Sequence, residues 1–157
     1  MVGRSLMFVR LWPVREVLPP GVETLRNDAR AEGHRCVDRL AEEWAAGVNR
    51  FDRPGEVLLW AELDGACVGV GGITVDPAVS GALRMRRFYV RPAHRRTGIG
   101  KLLAEALIAP AIARRSAVTV NAGTVEAARF WEAMGFRRSD TPGITHVHPA
   151  LDPEDGG

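Results

Sequence analysis

Lysine is nearly missing from this chain: of twenty-one basic side chains, twenty are arginine and Lys101 is the exception. Acidic residues are missing from one long window, since no Asp or Glu stands between Asp76 and Glu105. Tyrosine occurs once, as Tyr89, and cysteine twice, as Cys36 and Cys67. Two cysteines in apolar helical and strand-like settings, without metal-ligand spacing, build neither a disulfide framework nor a metal site. A reduced, cytoplasmic protein without metal is the expectation. No apolar run reaches the length of a membrane span, and Arg10 interrupts the N-terminal apolar stretch before it could act as a secretory leader. A formal charge of +2 is too small for a chain that binds polyanions as a whole. What is present is 46% hydrophobic residues in 157, enough for a core. A single domain over 1–157 is expected, with its core in 6–148 and a flexible, acidic, Pro/Gly-rich tail over 149–157.

Hydrophobic spacing assigns the elements. Leu6–Val14 alternates and reads as a strand, stopped by Pro13 or by Pro19-Pro20. Val22, Leu25 and Ala29 share a helical face that Gly33 ends, and Cys36, Val37, Leu40, Ala41, Trp44 and Val48 form a second helical stripe. Glu56–Glu62 and Ala66–Val75 flank Asp64-Gly65, a hairpin signal. Gly69, Gly71 and Gly72 precede the β-branched run Ile73-Thr74-Val75 rather than a helix, so they make no nucleotide fingerprint and mark a bulge or a close approach. Ser116–Val120 reads as a strand, and Val125–Met134 as a short helix closed by Gly135. Phe136–Arg138 and Thr145–His148 read as two last strands around Pro142-Gly143.

The most informative stretch is Leu83–Leu107, LRMRRFYVRPAHRRTGIGKLLAEAL. It holds Arg84, Arg86, Arg87, Arg91, Arg95 and Arg96, and guanidinium forks suit phosphate oxygens. The pattern Arg95-x-x-Gly98-x-Gly100 opens a helix whose apolar face is Ile99, Leu102, Leu103, Ala106 and Leu107, and which Pro110 should end or kink. Glycines without a Cβ bring backbone N–H groups and a helix N-terminus to one spot, which suits a phosphate or pyrophosphate. A Walker A loop would need Ser or Thr after Lys101, and a Rossmann fingerprint would need glycine at Leu103, so ATP and NAD fit poorly. In the preceding strand the apolar phase slips between Leu83–Met85 and Phe88–Val90. Either a β-bulge lies near Arg86-Arg87, or Arg87 merely breaks the pattern.

RRFYVRPAHRRTGIGKLL, followed by ARFWEAMGF, resembles the GNAT superfamily of N-acetyltransferases, and the element order from Leu6 to Val147 is similar throughout. The resemblance implies a mixed α/β (α+β) fold: a central, mostly antiparallel sheet with one splayed pair of parallel strands, flanked by helices. It implies acetyl-CoA as co-substrate, lying between the bulged strand and Ser116–Val120. The pantetheine arm would pair with Phe88, Tyr89 and Val90, and the pyrophosphate with the amides of Arg95, Arg96, Thr97, Gly98, Ile99, Gly100 and Lys101. Arg95, Arg96 and Arg91 would add charge, with Thr124, Phe130 and Trp131 completing the cofactor set. The Val90 amide would hold the thioester carbonyl as negative charge develops. The partner would be a small-molecule or peptide amine, without nucleic acid or membrane, and homodimers are common in the family.

Three positions depart from the family pattern. Arg84 stands where a glutamate base is frequent, Trp131 where a tyrosine acid is frequent, and Thr124 where asparagine is frequent. A base worth on the order of 10²–10⁴-fold must then come from elsewhere. His34 and His146 are the candidates, with Tyr89, or water relayed to Asp76 or Glu62, as alternatives, and His94 as a surface or phosphate contact. The competing reading is an acyl-CoA-binding domain of the same fold without transfer activity.

Overall fold

The computed structural model describes residues 9–148. Strands β1 (Val9–Pro13), β2 (Val57–Leu63), β3 (Ala66–Val75), β4 (Leu83–Val90), β5 (Val118–Val120), β6 (Arg137–Arg138) and β7 (His146–His148) form one sheet in the order β1-β2-β3-β4-β5-β7-β6. All neighbouring pairs are antiparallel except β4 and β5, which run parallel. Helices α1 (Val22–Ala31), α2 (Cys36–Ala46), α3 (Ile99–Ala113) and α4 (Val125–Ala133) flank it. This is the expected mixed α+β architecture, with the parallel pair where it was expected. The first residues of the expected strand Leu6–Val14, and the expected tail, lie outside the described residues. No helix among the described residues is long and apolar enough to cross a membrane.

Local chemistry explains most boundaries. β1 tolerates Pro13 because it is an edge strand, so one side needs no ladder donor. Asp64 and Gly65 both take positive φ, 50° and 85°, which is the twist a two-residue hairpin needs. α2 stops because Gly47 is left-handed at φ 71°. Val48, expected on the α2 stripe, therefore lies past the helix and is 71% exposed. Pro110 does not end α3: the helix continues to Ala113, since a missing N–H costs one bond and the Arg114 amide still reaches the Pro110 carbonyl. The fully buried face of α3 is Ile99, Leu103, Ala104, Leu107, Ile108 and Ala111, with the expected Leu102 and Ala106 only partly buried at its margin.

Side chains alternate across a strand, so β4 serves two cores. Leu83, Met85 and Phe88 pack toward α3 and α4 with Ile73, Leu103, Leu107, Val118, Trp131 and Phe136. Tyr89 points the other way, into the core of Leu25, Val37, Leu40, Trp44 and Val70 under α1 and α2. α1 and α2 are clamped together by Arg26 and Arg30, whose Nε atoms lie 2.9 and 2.8 Å from the Asp38 carboxylate. Arg30 first and Arg26 second hold that carboxyl well below its usual range, at about 2.

Candidate functional site

The strand register settles the phase slip as a bulge. Val70 pairs with Tyr89 and Gly72 with Arg86, so β4 carries one residue more than β3 in this interval. Arg87 is the residue that turns, at φ 54°. The glycines of β3 make room for it: a Cβ on Gly71 would stand 2.7 Å from Cδ2 of Phe88. After the bulge Phe88 and Val90 return to the α3 side, which is why the apolar phase resumes one position late.

β4 and β5 then part. They pair only at Leu83–Val118 and Arg84–Thr119, while β4 continues to Val90. The Arg91 amide donates to the Val68 carbonyl at 2.9 Å. Pair types alternate along an antiparallel ladder, so the next pair, Val90–Gly69, turns its N–H and C=O away from β3. The Val90 N–H thus faces the edge that β5 has left. The Val90 carbonyl accepts from Arg95 Nε at 3.0 Å, which ties the following turn to the strand end.

That turn begins with a short 3₁₀ segment, Pro92–His94. Arg96 and Gly98 take positive φ, 62° and 91°, and Gly98 is the N-cap of α3. The Leu102 amide is the first to reach a carbonyl inside the helix, that of Gly98, which leaves the amides of Gly98, Ile99, Gly100 and Lys101 to point out of the helix start. A Cβ on Gly100 would stand 3.3 Å from Phe130, so α3 meets α4 closely here. Ile99 is fully buried beside Val68 and Val90 and anchors the turn. Thr97 Oγ1 donates to the His94 carbonyl at 2.5 Å, and Lys101 is exposed. These free amides, a positive helix end and a close glycine backbone form a cradle that fits a pyrophosphate.

The other expected residues fall in different places. Thr124 caps α4, its Oγ1 accepting from the Ala127 amide at 3.0 Å. Trp131 is 4% exposed, wedged edge-on against Phe88, Phe130 and Phe136 at ring distances of 4.9, 4.8 and 5.1 Å. It is core, backing the cleft rather than presenting a face to it. Tyr89 lies on the α1 side, and its hydroxyl donates to Glu32 at 2.5 Å. Burial and then the Glu32 carboxylate push its pKa upward. His34 is exposed in the turn between α1 and α2. His146 is buried and pairs with Val120 of β5, which turns its ring to the α4 side. There Nδ1 lies 2.8 Å from Thr145 Oγ1, and Nε2 donates to Glu132 at 2.8 Å. The two histidines are not brought together. Cys36 and Cys67 are both free thiols, and burial pushes Cys67 up to about 12.

Sequence reasoning missed the carboxylates that restrain the arginines. Asp28 accepts from Arg91 at 2.6 Å, Glu32 grips Arg95 with two bonds of 2.6 Å, and Glu43 accepts from Arg87 at 2.8 Å. Arg95 therefore spends its guanidinium on Glu32, which leaves the backbone of its turn and the exposed Arg96 for an anion. Asp28 in α1 and Glu32 at its C-cap are four apart and so share a face, a signal present in the sequence. It pointed to no partner, because Arg91 and Arg95 lie more than sixty positions away. Asp76, the carboxylate nearest the point where the strands part, is buried and committed. It accepts from Thr119 Oγ1 at 2.5 Å and from the Ala78 and Val79 amides at 2.7 and 3.2 Å.

Comparison with known proteins agrees with this geometry. Solved structures share the fold at low identity. A provisionally named acetyltransferase from Exiguobacterium sp. 255-15 superposes with a TM-score of 0.80 at 22% identity, over 90% of this chain and 93% of that one. A GNAT-family acetyltransferase from Staphylococcus aureus Mu50 gives 0.71 at 13% identity, over 90% and 98%. A Salmonella typhimurium protein solved with its cofactor acetyl-CoA gives 0.64 at 16%, over 93% and 95%. Curated proteins give no significant match. The sequence profile of the acetyltransferase (GNAT) family matches residues 21–136, which contain the bulge, the parted strands and the glycine turn. On that match, and with the fold it predicts in place, this chain belongs to the GNAT family of acetyltransferases.

Proposed function

We propose that the protein transfers the acetyl group of acetyl-CoA to a primary amine of a small molecule or peptide, by direct attack of the amine. The observation that carries this reading is the alignment, along one edge, of the outward Val90 amide with the free amides of the α3 start. Bound acetyl-CoA supplies an activated acyl group as a thioester. The amides of Gly98 to Lys101 fit its pyrophosphate, and the edge of β4 from Phe88 to Val90 fits its pantetheine arm. The Val90 N–H is the donor placed to hold a carbonyl oxygen, and such a donor is worth about 10²–10³ in rate. The parted strands contribute proximity by admitting both reactants to one gap. No aromatic here has a proton to give a departing thiolate, since the indole of Trp131, where the family often has tyrosine, is no usable acid and the Tyr89 phenol donates to Glu32. That pair of facts, with Arg84 at the point of parting, favours the second reading, a domain that binds acyl-CoA without transfer.

Calorimetry with CoA tests the first step. Wild-type protein should bind, and Gly98→Glu, which puts a side chain and a negative charge into the cradle, should abolish binding. Gly47→Glu imposes a similar left-handed strain in open space and should leave binding intact. Absence of CoA binding, or a Gly98→Glu protein that binds as the wild type does, overturns the proposal. Thiol release with a panel of amines separates the two readings, because turnover with any amine eliminates the binding-only domain.

A further inference from the structure

The acetyltransferase reading leaves the acceptor unnamed, and one patch bears on its chemistry. Arg84, Arg86 and Arg87 share the α1/α2 face of β4: Leu83 and Met85 fill the opposite core, and the bulge at Arg87 keeps two successive arginines on one side. The arginines of the 84–96 window divide sharply by partner. Arg87, Arg91 and Arg95 each have a carboxylate of their own. Arg84, Arg86 and Arg96 have neither a hydrogen bond nor an ion pair among the described residues; Arg96 is exposed, whereas Arg84 and Arg86 are partly buried.

The same patch holds other unmet polar groups. Arg87 Nε is buried without an acceptor. Thr74, directly opposite Arg84 in the register, is 5% exposed and its Oγ1 has no partner. Native proteins leave few buried polar atoms unpaired, so a local cluster of them calls for a reason. Burial first, and then the like charges of Arg87 and Arg84, hold the Arg86 pKa below its ordinary value. Asp76 and Glu43 offset part of this charge from a distance, but neither hydrogen-bonds Arg84 or Arg86: Asp76 accepts from Thr119 and two backbone amides, and Glu43 from Arg87. A half-buried cation with no directly bonded carboxylate is costly, and an arriving anion that bonds it lowers that cost.

The position matters as much as the charge. Arg84 pairs with Thr119 at the last rung before β4 and β5 part. Arg86 lies on β4 between that rung and the outward Val90 amide, about 10 Å from Val90 at strand rise with the bulge discounted. The geometry points to an anionic acceptor: a small amine that also carries a carboxylate or phosphonate group, which Arg86 and Arg84 receive on the α1/α2 face while its amine enters the gap. This rests on the acetyltransferase reading. The span along β4 favours acceptors with several bonds between amine and anion, such as an amino dicarboxylate or an aminoalkylphosphonate, over polyamines.

The test uses full-length protein and two measurements. In thiol release, amino dicarboxylates and aminoalkylphosphonates should exceed neutral alkylamines and polyamines in kcat/KM by about tenfold or more. Arg86→Gln should raise KM for the anionic amines by about ten- to a hundredfold, the range of a charge-assisted hydrogen bond, and Arg86→Lys should recover part of it. CoA affinity by calorimetry should be the same in all three proteins. In the second measurement, glutarate and 3-aminopropylphosphonate are titrated directly into wild-type and Arg86→Gln protein, and only the wild type should bind them. Polyamines as the best acceptors, or an anion affinity indifferent to Arg86→Gln, overturn the inference even where CoA binds. Loss of CoA binding alone overturns the acetyltransferase reading, and the direct anion titration still decides the patch.

Discussion

Both faces of the sheet carry an apolar core, but they differ in what surrounds it. Toward α3 and α4 lie Phe88, Phe130 and Phe136, each edge-on to Trp131, with Leu103 and Leu107 fully buried beside them. Toward α1 and α2 lies a series of ion pairs, Asp28–Arg91, Glu32–Arg95 and Glu43–Arg87, over a smaller apolar core. β4 contributes to both, and its bulge is where one face hands over to the other. The difference teaches a division of labour. A dry, interlocked face holds the glycine turn and the α3 amides in one geometry, because close-packed rings transmit position. The other face adds ion pairs beside its apolar core and places arginines without exhausting them, so it keeps charge to offer a ligand.

The comparison breaks most visibly at Trp131. Trp131→Ala should cost about 3–5 kcal/mol in denaturant unfolding, as expected for an aromatic removed from a packed core. A loss under about 1 kcal/mol would mean that the apolar face is not the rigid one. A smaller effect is expected on the charged side from Glu32→Gln, which releases Arg95 and Tyr89 together. The stability loss should be about 1 kcal/mol, discounted because the pair is partly open to water. The specific readout is the tyrosine: Glu32 raises its pKa, so in the variant the phenolate absorbance should appear at lower pH. An unmoved titration would sever Tyr89 from this network.

A pH-dependent effect is expected at the α1–α2 clamp. The Asp38 carboxyl titrates lower in the folded chain than in the unfolded one, so its stabilisation is complete above about pH 4 and fades as pH falls toward about 2. Unfolding midpoints across that window should decline in the wild type and decline less in Asp38→Asn. Parallel profiles would show that Arg26 and Arg30 contribute nothing there.

Much of the candidate site was legible because its signals are local. The slip between Met85 and Phe88 is a period-two pattern broken in one place, and the register shows one extra residue there. Gly98 and Gly100 sit at the start of an apolar helical run, and a left-handed N-cap followed by α3 is what results. Two local readings failed for reasons equally local. Val48 keeps helical spacing with Trp44, but the left-handed Gly47 intervenes, and Pro110 comes too near the end of α3 to interrupt more than one bond. His146 was ambiguous in sequence because strand alternation assigns a residue to a face only once its neighbours are known. Pairing with Val120 turned it toward Glu132.

Sequence by itself determined most elements and the amide-lined turn, and marked the place of the bulge that the strand register then decided, since backbone periodicity, glycine freedom and helix ends are properties of a few consecutive residues. Tertiary structure decided which arginines remain unpaired. Asp28, Glu32 and Glu43 reach β4 and its turn from the first two helices, across separations of 63, 63 and 44 positions. A charge is neutralised by whatever lies within a few ångströms of it, and no spacing rule in the chain reports that distance. The same folding that gave Arg87, Arg91 and Arg95 their carboxylates left Arg84 and Arg86 without one, beside the gap between β4 and β5.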